Sequence, residues 1–188
     1  MLSRESRREL LRIARGAIAS ALGQPTDLTP ATQDDTLRAA CGAFVTLRVN
    51  HTLRGCIGYI ESSLPLAEVV AEVALKAAFE DPRFPPLTAA EFKNVTIEIS
   101  VLSPLERVAR IEDIQVGVHG LLLECGPRRG LLLPQVALEY EWDREAFLNA
   151  TARKAGLPDR AWEDEQAALY LFTADIVEEQ ETAEESRS

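Results

Sequence analysis

The chain has 188 residues, a size that suits one domain, with room for a small appended lobe. Hydrophobic residues make up 46% and charged residues 27%, the balance of a soluble globular protein able to bury a substantial core. The formal net charge of −10 works against non-specific binding to a nucleic-acid backbone, and no apolar run approaches the length of a bilayer span.

The opening MLSRESRREL has no apolar core of a signal peptide, so a cytoplasmic location is expected. Residues 4–22 read as an amphipathic helix, with Leu10, Leu11, Ala14, Ala17, Ile18 and Ala21 at helical spacing. Ser3 can cap its start and Gly23 can end it. Its arginines, Arg4, Arg7, Arg8, Arg12 and Arg15, are interspersed with Glu5 and Glu9 and read as a solvated face rather than a nucleic-acid patch. A polar loop is expected from Gln24 to about Asp35.

Gly42–Val49 and Leu53–Ile60 are β-like and separated by Asn50-His51-Thr52, which suggests a hairpin. Its register is open. A two-residue loop sets Cys56 opposite Val45, whereas a three-residue loop sets Cys56 opposite Thr46 and Arg54 opposite Arg48. Histidine tolerates positive φ less well than glycine, which favours the longer loop. Ser63 can cap a helix over 65–79, which must stop at Asp81-Pro82. The segment Asp81-Pro82-Arg83-Phe84-Pro85-Pro86 is stiff, and Thr88-Ala-Ala-Glu91 has the form of a capping box.

Residues 94–102 alternate: Val95, Ile97, Ile99 and Val101 point one way, and Thr96, Glu98 and Ser100 the other. A short strand is expected over 105–111. Leu121–Glu124 and Leu131–Leu133 flank a second turn, Cys125-Gly-Pro-Arg-Arg-Gly130. Asp143 can cap a helix ending at Gly156, and 169–177 reads as one closing strand. From Glu178 the chain carries five acids against one arginine and reads as an acidic disordered tail. Hairpins with helices between them give an α+β fold with a mostly antiparallel sheet flanked by helices.

Cys41, Cys56 and Cys125 are scattered and odd in number, which argues against a disulfide framework. With no CxxC pair and only His51 and His119, neither a metal site nor a bound cofactor is expected.

The chemistry concentrates in Leu53-Arg54-Gly55-Cys56-Ile57-Gly58. In a regular strand Arg54, Cys56 and Gly58 share one face. A guanidinium about 7 Å from the sulfur contributes on the order of 2 kcal/mol of attraction to a thiolate at an effective dielectric of about 20. This is a route to a reactive thiol. Unpaired cysteines also serve as small buried hydrophobes, and no base stands beside this one in sequence, so packing is the competing account. Arg54 either holds an anionic or carbonyl group or forms an ion pair with Glu98 or Asp81. Asp81 and Arg83 either rim a pocket or pair locally to fix a helix exit. Gln135 is either a pocket group or a buried residue with its hydrogen bonds satisfied.

The segments GAFVTL, LRGCIGYIE, AAFEDPRFPPLT, EISVLSP, HGLLLE, RRGLLLPQVA, WDREAFLN and KAGLPDRAW stand in the order found in the AMMECR-type domain family. The resemblance spans about residues 8–177, and LRGCIG is the family's signature. It implies a single domain over 1–177 with a larger and a smaller lobe. Bacterial and archaeal members resemble protein A of the three-part AmmeMemoRadiSam system, beside a Memo-like protein and a radical-SAM enzyme.

The resemblance marks Leu53–Gly58 as a functional site and adds the 81–85 and 129–135 segments as cleft residues. The resulting expectation is a ligand- or partner-binding set of Thr46, Gly55, Gly58, Asp81, Arg83, Arg129 and Gln135 around a tentative catalytic trio of Cys56, Arg54 and Glu98. Two roles are carried forward. One is an accessory or adaptor component of a radical-SAM-linked modification system. The other is an enzyme using Cys56 and Arg54 to modify RNA or a small metabolite. Many relatives have a cysteine in the helix before KAGL; here the residues are Ala150-Thr151-Ala152-Arg153, so a second thiol has no residue to carry it.

Overall fold

The computed structural model describes residues 2–26 and 34–179. The chain divides into two compact units, Met1–Leu102 with Asp175–Ser188, and Ser103–Ala174. Each holds one four-stranded sheet.

In the first unit, helix α1 (Arg4–Ala21) begins where the Ser3 hydroxyl accepts the Ser6 N–H. It ends at Gly23, whose φ of 74° lets the Gln24 N–H return to the Ala19 carbonyl. A one-turn helix α2 (Asp35–Arg38) starts at the Asp34 cap. Strands β1 (Ala43–Val49) and β2 (Thr52–Tyr59) form the hairpin, and β3 (Val95–Leu102) pairs antiparallel with β1. Strand β8 (Ala174–Glu178) completes the order β2-β1-β3-β8.

Helices α1 and α3 (Leu66–Phe79) pack with one face of this sheet. Ala43, Val45 and Leu47 of β1 and Val95, Ile97, Ile99 and Val101 of β3 are buried in the core formed there. Burying these aliphatic side chains drives the unit's folding, at about 25 cal/mol per Å² removed from water. The even-numbered residues of β1 and β3 point to the other face.

Several expectations are revised here. Helix α3 is capped by Pro65 rather than Ser63, and no side chain bonds its first turn. The hairpin loop has two residues, not three: Asn50 and His51 both take positive φ, 49° and 63°, as a primed two-residue turn requires. Yet Cys56 does lie opposite Thr46. A bulge shifts the register between Leu47 and Arg48, because Leu53 pairs with Arg48 and Gly55 with Leu47, leaving Arg54 as the extra residue.

The α1 arginines are also more than a solvated face. Arg7 bonds Asp175 and the Ile176 carbonyl, and Arg15 bonds Glu179 and the Val95 carbonyl. Thus Glu178 closes β8 and Glu179 pairs with α1, so the acidic tail does not begin at residue 178. The rest of that tail, and the middle of the loop expected at 24–35, lie outside the described residues.

In the second unit, β4 (Glu106–Arg107), β5 (Gly120–Cys125), β6 (Arg128–Leu132) and β7 (Ala167–Phe172) form a sheet ordered β4-β7-β5-β6. Helix α6 (Arg144–Lys154) starts at the Asp143 cap and ends at Gly156, as read from the sequence. It packs against β5 and β6, α5 (Pro134–Glu139) also packs against β5, and Phe147, Leu148, Leu121, Ala137 and Ile114 form a separate core. The short strand expected over 105–111 shrinks to two residues followed by a 3-10 turn at Ile111–Asp113. The single closing strand expected over 169–177 is two: β7 serves the second sheet and β8 the first, divided at Thr173.

Candidate functional site around Cys56

Each residue of LRGCIG has a distinct task in β2. Gly55 and Ile57 are on the helix-facing side. A Cβ at Gly55 would collide with the Ala77 carbonyl oxygen of α3, so only glycine lets that helix approach. Ile57 packs against the core. A Cβ at Gly58 would strike the Phe44 ring and the Ala43 carbonyl oxygen. Cys56 faces away from α3, opposite Thr46, which lies opposite Glu98. One row across three strands therefore carries a thiol, a hydroxyl and a carboxylate, with Cβ atoms of neighbours about 4.5–5.5 Å apart. The Thr46 hydroxyl donates to the Cys56 sulfur at 3.4 Å, and Arg48 sits 3.8 Å from Glu98. Thr46 is buried, while Cys56 is half-buried.

The backbone of Cys56 is held from the outer edge of the sheet. Its N–H donates to Asp81 Oδ2 at 2.9 Å, and its carbonyl accepts from the Arg83 guanidinium at 3.2 Å. Asp81 and Arg83 are themselves joined at 2.6 and 2.9 Å. Two side chains of one stiff loop thus satisfy groups that a further strand would otherwise pair, which protects the edge strand β2. Asp81 is only 4% exposed. The Arg83 guanidinium, then the N–H groups of Cys56 and Arg83, hold its carboxyl well below the usual carboxylate range against the opposing effect of burial. Arg83 is raised above its ordinary value first by Asp81, and it also feels the Cys56 sulfur. The local pairing and the clasp on Cys56 are therefore one structure.

Arg54 does not share in this. As the bulge residue it turns toward α4 (Ala89–Phe92) and the 81–86 loop. Its Nε donates to Glu91 at 3.0 Å, its terminal nitrogen donates to the Pro85 carbonyl at 2.9 Å, and its guanidinium lies 5.8 Å from the Phe84 ring centre. Arg54 is 9% exposed. The anionic and carbonyl groups it holds are the chain's own. Its ion-pair partner is thus Glu91 rather than the expected Glu98 or Asp81.

Glu91 was legible in the sequence only as part of a capping box. That box is present, and the same carboxylate also neutralises Arg54. Arg54 first, then Thr88, lower the Glu91 carboxyl to about 2. Nothing in the residue spacing linked position 54 to 91, because the bulge that redirects Arg54 is a property of the paired strands.

Arg129 and Gln135 belong to the second unit. Arg129 lies opposite Glu124 on β5 and pairs with it at 2.5 Å, and Gln135 is half-buried in the first turn of α5. Among the described residues there is no group of three His, Cys, Asp or Glu side chains placed to hold a metal ion. No described helix is long and apolar enough to cross a membrane.

Comparison with known proteins places this geometry in context. The AMMECR1 family model matches residues 11–177. A Methanothermobacter thermautotrophicus protein is 45% identical over 186 residues, covering 95% of this chain and 96% of its own. An Aquifex aeolicus protein is 39% identical over 181 residues, covering 93% of each. The crystal structure of the uncharacterized protein PH0010 from Pyrococcus horikoshii is similar with a TM-score of 0.82 at 42% identity, covering 89% of this chain and 88% of that one.

Proposed function

This chain belongs to the AMMECR1 family, and from that premise we propose that it is an accessory component of a radical-SAM-linked modification system, acting beside a Memo-like protein and a radical-SAM enzyme. In this reading the sheet face that carries the half-buried Cys56 receives a ligand or a partner segment. The supporting observation is the row Cys56–Thr46–Glu98, held in place by the Asp81–Arg83 clasp on the Cys56 backbone. A thiol fixed on both sides by backbone bonds is a rigid element of a recognition surface. Neither imidazole is an evident base for it. His51 occupies the hairpin turn, five positions and roughly 15 Å along the strand, and His119 Nδ1 accepts the Gln115 N–H in the second unit.

The same row supports an enzymatic alternative, with RNA or a small metabolite as substrate. There Cys56 is the nucleophile, its thiolate accepting from the Thr46 hydroxyl, Glu98 is the carboxylate of the same row that assists proton transfer, and Arg83, which bonds the Cys56 carbonyl, replaces Arg54 as the neighbouring cation. A reconstituted reaction with the two partner proteins separates the readings. The accessory role predicts that Cys56→Ala keeps most turnover while Arg83→Ala lowers it by weakening assembly. Abolished turnover in a folded, fully assembled Cys56→Ala complex contradicts it and supports the thiol mechanism.

A further inference from the structure

The second unit carries a surface feature that the Cys56 row does not explain. Three of the most exposed large apolar side chains among the described residues are Val118, Leu138 and Tyr140, at 50%, 60% and 64% exposure. Val118 and Leu138 are close neighbours, and Tyr140 follows Leu138 by two residues at the end of α5. Gly117, at φ 82°, lies against Leu138 so closely that a Cβ there would sit 2.7 Å from Leu138 Cδ2, which places Val118 beside that side chain. Tyr140 ends α5 and stacks on Trp142 with ring centres 4.8 Å apart and planes inclined by 15°. The chain turns sharply between the two rings through Glu141, at φ 52°, whose N–H bonds the Leu138 carbonyl. The Trp142 N–H bonds the Ala137 carbonyl, which ties the turn to the helix end. The patch is therefore a built corner of the fold, with its backbone groups satisfied.

Charge surrounds it. Residues 139–145 read Glu-Tyr-Glu-Trp-Asp-Arg-Glu, four acids and one arginine, of which Asp143 caps α6 and Glu145 pairs with Arg160 at 3.5 Å. That arginine, Arg144, directs its guanidinium to the Ile114 and Glu112 carbonyls. Contiguous exposed apolar surface on a folded domain marks an interaction site. Exposed aromatic faces beside carboxylates attract ammonium and guanidinium groups twice over, by ring quadrupole and by charge.

We propose that this corner docks a basic amphipathic helix of a partner protein, with the partner's apolar side chains against Leu138 and Val118 and its lysine or arginine side chains over Tyr140 and beside the 139–145 carboxylates. A second copy of this acidic chain and an anionic lipid surface both carry the wrong sign. The proposal is independent of the Cys56 reading, since it uses none of those residues.

The probe is a labelled synthetic helical peptide with one leucine face and one lysine face, titrated against the full chain and followed by fluorescence anisotropy. A counterpart with glutamate in place of lysine is the control. The expected result is saturable binding of the lysine peptide, weakening as salt rises, and no binding of the glutamate peptide. Leu138→Ser and Tyr140→Ala each weaken binding about tenfold, the loss typical of an interface anchor. Both side chains are mostly exposed, and unchanged thermal melting of the variants verifies that the fold is intact. Glu141→Lys weakens binding more than Glu5→Lys, an equal change in net charge on an exposed position of α1.

The proposal is overturned by no binding of the lysine peptide, by equal binding of the two peptides, or by binding that Leu138→Ser and Tyr140→Ala leave unchanged. Equal losses for Glu5→Lys and Glu141→Lys also overturn it, because attraction is then only to overall charge. Self-association of the chain that Tyr140→Ala abolishes identifies the occupant as a second copy and overturns it too.

Discussion

Two hairpins of this chain, β1–β2 in the first unit and β5–β6 in the second, each set a glycine where a helix backbone approaches, and each carry arginine near cysteine. A Cβ on Gly55 would meet the Ala77 carbonyl of α3, and a Cβ on Gly130 would meet the Ala155 nitrogen and Thr151 carbonyl of α6. The surroundings then diverge. Arg54 is buried against Glu91 and Pro85, and the Cys56 backbone is bound on both sides by a loop. Arg128 and Arg129 are exposed, one bonded to the Gly156 carbonyl and the other paired with Glu124. The glycines answer a packing demand common to both hairpins, whereas the clasped thiol belongs to the first alone. The two glycines therefore carry no argument for function, and the Cys56 row does.

The largest expected effects test the packing common to both hairpins. Gly55→Ala and Gly130→Ala should each cost about 3 kcal/mol or more in a denaturant unfolding titration, because backbone rather than a flexible side chain stands in the way. A loss under about 1 kcal/mol at Gly55 would break the comparison by showing that α3 can move aside.

The arginines should then separate the hairpins. Arg54→Ala removes a buried guanidinium together with its packing and its bonds to the Pro85 carbonyl and the Glu91 carboxylate, for an expected loss of about 2 kcal/mol. Arg129→Ala breaks a half-exposed pair and should cost less than about 0.5 kcal/mol. Equal losses would mean that burial does not distinguish the two sites.

Acid should act on the first hairpin in particular. Asp81 and Glu91 both have depressed carboxyl pKa values in the folded state, so they contribute stability above the ordinary carboxylate range. That contribution is lost as pH falls from about 4.5 through the folded-state values, which for Glu91 means toward about 2. Melting temperature measured between neutral and strongly acid pH should fall in this window, and Glu91→Gln should flatten the fall. A variant that keeps the full slope would show that other carboxylates govern acid unfolding.

The smallest expected effect concerns the thiol itself. Thr46→Val removes the hydroxyl that donates to the sulfur. It should slow alkylation of Cys56 by iodoacetamide a few-fold at fixed pH without changing the rate at Cys125. An unchanged rate at Cys56 would show that Thr46 does not stabilise the thiolate.

Much of the fold was legible from the sequence because it rests on local signals. Ser3, Gly23, Thr88, Asp143 and Gly156 delimit helices by short-range bonds, and the alternation over 94–102 fixed both faces of β3. The hairpin register was half legible. Asn-His reads as a poor two-residue turn, yet both residues accept positive φ, and the bulge at Arg54 restores the pairing that a longer loop would have produced. No local pattern announces such a compensation, because it is decided by Gly55 packing against α3 and by Glu91 drawing Arg54 away. The division of 167–178 between two sheets was equally invisible, since β7 and β8 are separated only by Thr173 and both read as strand. At the LRGCIG segment, the spacing that puts Arg54 and Cys56 on one strand face is broken by the bulge, so Arg54 bonds Glu91 and Pro85 while Arg83 bonds the Cys56 carbonyl.

The central proposal is that the sheet face at Cys56 is a docking surface on which packing matters more than thiol chemistry. It is tested most directly by measuring, on gel filtration, co-assembly with the Memo-like and radical-SAM proteins proposed as partners, using chain in which Cys41 and Cys125 are replaced by alanine. Assembly should survive the further change Cys56→Ala and should be lost when Cys56 carries a bulky maleimide adduct confirmed by intact mass. Full assembly of the maleimide-blocked protein would contradict the claim.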